Sequence, residues 1–174
     1  MKKRKMAVTD LDKPITEMVN RTDHRKLAIW AADCAERALP YFEQKFPEDD
    51  RPRKAIEACR AWASTGIFEM SHVRRMALAA HAAAREAKED GAARSAARAA
   101  GQAMATAHVP GHCIAAAVYS ATAVRDATGS KDADAPILRE REWQYARLIE
   151  LAGKHEKRGL GARSHVSRCK DPNG

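Results

Sequence analysis

At 174 residues with a formal charge of +8, the chain is long enough to bury a core of its own as one domain and needs no disulfide staple. About a fifth of the residues are alanine, and each apolar run is short and flanked by charge, which excludes a membrane-spanning helix. The basic start Met1-Lys-Lys-Arg-Lys5 meets Asp10, Asp12 and Lys13 where an apolar stretch would follow in a signal peptide, so no export signal and a cytoplasmic location are expected.

Nothing between residues 22 and 152 alternates with period two, and six helical segments emerge from periodicity and punctuation, so the predicted class is all-α, a single bundle of about six alanine-rich helices. The first begins at a Thr22 or Asp23 cap and repeats Leu27, Trp30, Ala31, Cys34 and Ala38 at helical spacing, before Pro40 ends it and Tyr41 to Phe46 add a further turn. The second starts near Asp50-Arg-Pro52 and weakens at Gly66, with Ile56, Cys59 and Ala63 on one face. The third opens at Ser71 and runs through Val73, Ala77, Ala80 and Ala84 to a break at Asp90-Gly91. The fourth carries Ala93, Ala97, Ala100 and Met104, and Val109-Pro110-Gly111 separates it from the fifth, which shows Ile114, Val118 and Ala121 until Gly129. The sixth presents Leu138, Tyr145, Leu148, Ile149 and Ala152 and stops at Gly153. Short alanine side chains let helix axes approach closely, so the third to fifth helices should form a tight central layer.

Charge is concentrated at the ends. Residues 1–21 hold six Lys/Arg against three Asp/Glu and residues 153–174 hold six against two, of totals of 31 and 23. The expected division is a basic N-terminal tail over 1–21, a nearly neutral helical domain over 22–152 and a basic flexible tail over 153–174. A chain trimmed to 22–152 is then expected to keep cooperative unfolding. The tails allow weak, salt-sensitive contact with nucleic acid, although no aromatic residues interleave with their charges to stack on bases. Cys34, Cys59, Cys113 and Cys169 form no C-x-x-C pair and are expected to be reduced, buried thiols.

Four segments taken together, Lys26-Leu-Ala-Ile-Trp-Ala-Ala-Asp-Cys-Ala-Glu36, Asp49-Asp-Arg-Pro-Arg-Lys-Ala-Ile-Glu57, Ala79-Ala-His-Ala-Ala-Ala-Arg85 and Ala99-Ala-Gly-Gln-Ala-Met-Ala-Thr-Ala-His108, resemble the bacterial putative immunity protein family associated with polymorphic toxin systems. The resemblance spans about residues 24–125 and implies a helical protein that neutralises a toxin by binding it, without chemistry of its own. The family pattern has histidine where this chain has Gln102.

The candidate site residues are Asp33, Arg53, His81 and His108, each at the border of an alanine-rich face. Asp33 lies beside Trp30 and Arg37 on the first helix, as part of a polar pocket or as an intrahelical ion pair with Arg37 worth about 0.3–0.5 kcal/mol. Arg53 projects from the first turn of the second helix, where it can fork to Asp33 or to a partner's carboxylate. His81 sits at the edge of the third helix and His108 at the end of the fourth. An unpaired polar group buried at such a border costs about 1–3 kcal/mol, so the four are expected to converge as a partner's docking cleft or as a structural brace. His108 and His112 stand four apart, but Pro110-Gly111 interrupts the helix between them and no H-E-x-x-H is present, so neither metal nor cofactor is expected. Ser71, Cys113 and Ser120 lie in no recognisable nucleophile motif. A binding protein is the leading functional expectation. A small-molecule-binding or hydrolytic enzyme using the same His/Asp/Arg set, and nucleic-acid binding through the tails, are the alternatives.

Overall fold

A computed structural model describes residues 6, 7, 9–129 and 133–153. Eight helices follow one another among them: α1 Asp12–Val19, α2 His24–Ala38, α3 Pro40–Glu43, α4 Arg51–Thr65, α5 Met70–Glu86, α6 Gly91–Ala105, α7 His112–Thr128 and α8 Asp134–Gly153. No strand occurs among the described residues, in agreement with the all-α expectation.

Sequence punctuation sets most of the boundaries. The Asp23 side chain accepts from the backbone N–H of Arg25 at 2.9 Å and of Lys26 at 3.3 Å, capping α2. Asp90 caps α6 in the same way through Ala93 N–H at 2.9 Å. At the start of α4 the cap is one residue earlier than expected: Asp49 accepts from Arg51 N–H, while Asp50 pairs with Lys54. Ser71 lies one residue inside α5, and its hydroxyl donates to Glu69. Gly66 closes α4 with φ +74°, a left-handed conformation that a side chain resists.

The alanines form the expected central layer. α6 packs against α2, α3, α4, α5 and α7, and eleven of its fifteen residues are buried. Only small side chains allow that many neighbours. The Cys59 thiol of α4 reaches the carbonyl oxygens of Ala28 in α2, at 3.4 Å, and Ala103 in α6, at 3.1 Å. Trp30 is fully buried and donates its indole N–H to the Gln144 carbonyl in α8 at 2.8 Å. Cys34, Cys59 and Cys113 are free and buried, as expected. Burial pushes the thiols of Cys59 and Cys113 up to about 12, which makes them packing groups.

Two expectations need correction. The 1–21 segment is not merely a basic tail, because it contains α1, with Ile15 and Val19 buried in the main core. Thr9 and Asp12 start this helix reciprocally: Thr9 Oγ1 accepts from Leu11 N–H, and Asp12 Oδ2 accepts from Thr9 N–H at 2.7 Å. The buried face of α8 is also rotated from the one expected. Leu138 and Ile149 are exposed, whereas Ile137, Glu140, Arg141, Gln144, Leu148 and Leu151 point inward. Of the expected C-terminal tail, only Gly153 falls among the described residues; Lys154 onward, including Cys169, lies outside them, as do Met1 to Lys5.

Candidate functional site

Asp33 joins three helices. Its Oδ1 receives Arg60 of α4 at 2.8 Å and its Oδ2 receives Arg147 of α8 at 2.8 Å. Each arginine also holds a second carboxylate, Glu36 for Arg60 and Glu150 for Arg147. The anticipated Asp33–Arg37 pair does not form. Arg37 instead donates to Glu140 at 3.0 and 2.9 Å, with its guanidinium 4.0 Å over the Trp143 ring. Asp33, Glu36, Arg37, Trp143, Arg147 and Glu150 wall a cleft between α2 and α8. Replacing Asp33 by alanine is expected to lower stability by about 2 kcal/mol, since two guanidiniums lose a charge-assisted bond while each keeps one partner; a denaturant melt measures it.

Arg53 does not fork to Asp33. It meets Glu43 of α3 at 2.6 Å, on the surface, where such a pair contributes under about 1 kcal/mol. The four candidates therefore do not form one network: Asp33 and Arg53 each have separate partners, and no hydrogen bond or ion pair joins any two of the four among the described residues.

His81 and His108 lie near a shared neighbour, His112. The His108 and His112 ring centroids are 5.2 Å apart, and His112 also acts electrostatically on His81. Nδ1 of His112 lies 2.7 Å from Oε1 of Gln102, which accepts when that nitrogen carries the proton. Gln102 thus belongs to the histidine group. Among the described residues, no three His, Cys, Asp or Glu side chains are placed to hold a metal ion.

The two segments Ala79–Arg85 and Ala99–His108 meet where His81 lies on Gly101. A Cβ at Gly101 would stand 2.6–2.9 Å from three atoms of the imidazole ring, so glycine makes room for histidine inside a buried helix. Glycine there costs about 1 kcal/mol of helix propensity relative to alanine, whereas forcing the ring aside costs about 1–3 kcal/mol. Gly101→Ala should therefore destabilise the wild-type chain but stabilise a His81→Ala chain by about 1 kcal/mol. A sign that does not reverse between the two backgrounds, measured by denaturant melts, contradicts this packing.

The histidine group stands among cations. Burial holds His81 below its ordinary protonation range, and Arg98 of α6, Arg85 of α5 and His112 of α7 add to that effect; burial and His108 depress His112 similarly. At pH 8 both rings are neutral in the folded and unfolded chains alike. As pH falls through the ordinary histidine value of about 6.5, the unfolded chain takes protons first. Stability should therefore be full above about pH 7 and decline below it, and His81→Gln should flatten part of that decline in melting scans.

Sequence reasoning missed a buried polar network. The Arg141 side chain is fully buried; it pairs with Asp12 of α1 and donates to Gln144 Oε1 at 2.7 Å. Gln144 donates in turn to the Ala117 carbonyl at 3.0 Å and to Glu140 at 3.1 Å. The available signal was spacing, because Ile137, Arg141, Gln144, Leu148 and Leu151 follow one helical stripe despite their polarity.

The surface also carries exposed apolar side chains. Ile67, 79 % exposed, and Phe68 occupy the α4–α5 connection and Met70 begins α5, beside a depression of about 310 Å³ walled by Trp62, Val73 and Met104. Leu78, 60 % exposed, stands on α5 one turn before His81. No helix among the described residues is long and apolar enough to cross a membrane.

Neither the curated proteins nor the solved structures give a match to this chain. Residues 17–151 match a family described as Imm-5 like putative immunity protein. That span runs from within α1 almost to the end of α8, well beyond the 24–125 of the sequence resemblance. With most of its length and all seven of its longer helices covered in whole or in part, the chain belongs to the Imm-5 like putative immunity protein family.

Proposed function

We propose that the chain neutralises a toxin by binding it, with no chemistry of its own, and that the outward side of α5 with the histidine group makes the contact. His81 and His108 then belong to the binding face, while Asp33 and Arg53 act as braces. The observation that carries this reading is the exposed apolar series Ile67, Phe68, Met70 and Leu78 on α5 and the connection leading into it, within a chain of an immunity family. Large exposed apolar side chains grouped on one element favour a protein-binding surface. Asp33 supports the brace assignment, since both its oxygens already hold guanidiniums.

The test is a titration of toxin activity. The chain is added to a candidate toxin encoded by a neighbouring gene, and residual toxicity is followed against molar ratio. Neutralisation by binding saturates at a fixed stoichiometry with a complex recoverable by size-exclusion chromatography. Neutralisation by small, substoichiometric amounts that continues with time would instead support the enzymatic alternative.

A further inference from the structure

The cations of the molecule are unequally satisfied. On α2, α4 and α8, Arg37, Arg51, Arg53, Arg60, Arg141 and Arg147 each meet a carboxylate. On α5 and α6, Arg74, Arg85 and Arg98 form no ion pair among the described residues. Arg74, Leu78, His81 and Arg85 recur at helical spacing along α5, so they share one side of it. Arg98 adds a guanidinium from α6, 5.9 Å from the centroid of Tyr119 in α7. The Nδ1 atom of His81 is buried there without a hydrogen-bond partner among the described residues, and the titratable groups that bear on this ring, Arg98, Arg85 and His112, are all bases.

Such an arrangement repels itself. Like charges gathered together work against the fold, whereas the six arginines named on α2, α4 and α8 are matched to acids. These arginines without an ion pair among the described residues, Arg74, Arg85 and Arg98, coincide with exposed Leu78, and together they make an arginine-rich rim around an apolar anchor, the composition favoured at protein interfaces.

We infer that the α5–α6 face, where Arg74, Arg85 and Arg98 stand unpaired around Leu78 and His81, docks an acidic surface of the protein partner. The inference rests on the binding reading above and adds the chemistry of the partner: aspartate and glutamate side chains that pair with Arg85 and Arg98, and an apolar group that covers Leu78. Guanidinium–carboxylate pairs are directional and bidentate, so the partner supplies specificity as well as charge. Nucleic acid fits less well, because an exposed leucine sits inside the patch, where a base-stacking surface would be needed.

Affinity for the toxin that the wild-type chain neutralises in the titration above is measured by calorimetry with the full chain and two double variants of equal charge change. Arg85→Glu/Arg98→Glu reverses the proposed face; Arg21→Glu/Arg139→Glu reverses two exposed cations elsewhere. The face variant should bind at least tenfold more weakly, the control within about threefold of wild type, and circular dichroism melts confirm that both are folded. Wild-type affinity should fall as salt rises from about 50 to 200 mM. Equal weakening in the two variants would reduce the effect to net charge and overturn the proposal, as would unchanged binding by a folded face variant. Binding of a 20-base-pair DNA or RNA duplex, lost in the face variant while toxin binding persists, would assign the patch to nucleic acid and also overturn it. If wild type itself fails to bind the toxin-bearing protein, the immunity reading falls, whatever the face variant does.

Discussion

Replacing Arg141 by alanine is expected to remove about 3–5 kcal/mol of stability and to lower the melting temperature by about 10 °C, more than any surface substitution in the chain. Arg141 is fully buried, with Asp12 and Gln144 as its partners. Truncation leaves an acid beside a cavity and an amide oxygen without its donor, and each adds to the packing loss. The buried charge is also costly in the native chain, because Arg141 Nε has no hydrogen-bond partner among the described residues. Arg141→Met together with Asp12→Asn should recover part of that loss, since it restores volume and removes the stranded acid, while the Gln144 amide oxygen still lacks its donor. Chemical denaturation of the single and double variants checks both; a double variant as unstable as Arg141→Ala would show that the lost guanidinium hydrogen bonds, rather than volume or the stranded acid, dominate.

Removing residues 1–21 is expected to cost at least about 3 kcal/mol and to broaden the unfolding transition. The deletion strips Ile15 and Val19 from the core, each worth about 1.5–3 kcal/mol of burial before the entropy of ordering α1 is subtracted. It also leaves the Arg141 guanidinium without Asp12. An unchanged melting temperature for the 22–174 chain would restore the description of residues 1–21 as a tail and contradict the part assigned to α1.

The difference between α1 and the better-anticipated helices lies in the strength of the signal. α6 announces itself through four turns of alanine bounded by Asp90 and Pro110, where propensity, periodicity and punctuation agree. α1 has eight residues, two of them buried, inside a segment whose net charge dominates its composition. Its cues were nonetheless present: Thr9 and Asp12 as reciprocal caps, Pro14 in the first turn, and Ile15 and Val19 four apart. On α8, charge concealed burial, since Arg139-Glu-Arg-Glu142 has the composition of a solvated face while its partners arrive from helices distant in sequence.

The candidate residues divide along the same line. That Asp33 is a polar group at a helix border was legible, but its choice of Arg60 and Arg147 over neighbouring Arg37 depends on how α2, α4 and α8 cross. Sequence spacing does not contain that angle. The contact of His81 with Gly101 was more accessible, because a glycine inside an alanine helix asks what approaches it, and the histidine segment one helix earlier supplies the answer.

The most direct test of the division between binding face and brace is the affinity of the toxin-bearing partner for Leu78→Asp and for Asp33→Ala, measured on folded protein at a temperature below both melting transitions. Leu78→Asp should melt like wild type and bind at least tenfold more weakly, whereas Asp33→Ala should melt earlier and bind within about twofold of wild type. Full binding by Leu78→Asp together with lost binding by folded Asp33→Ala would place the partner on the α2–α8 cleft and contradict the account.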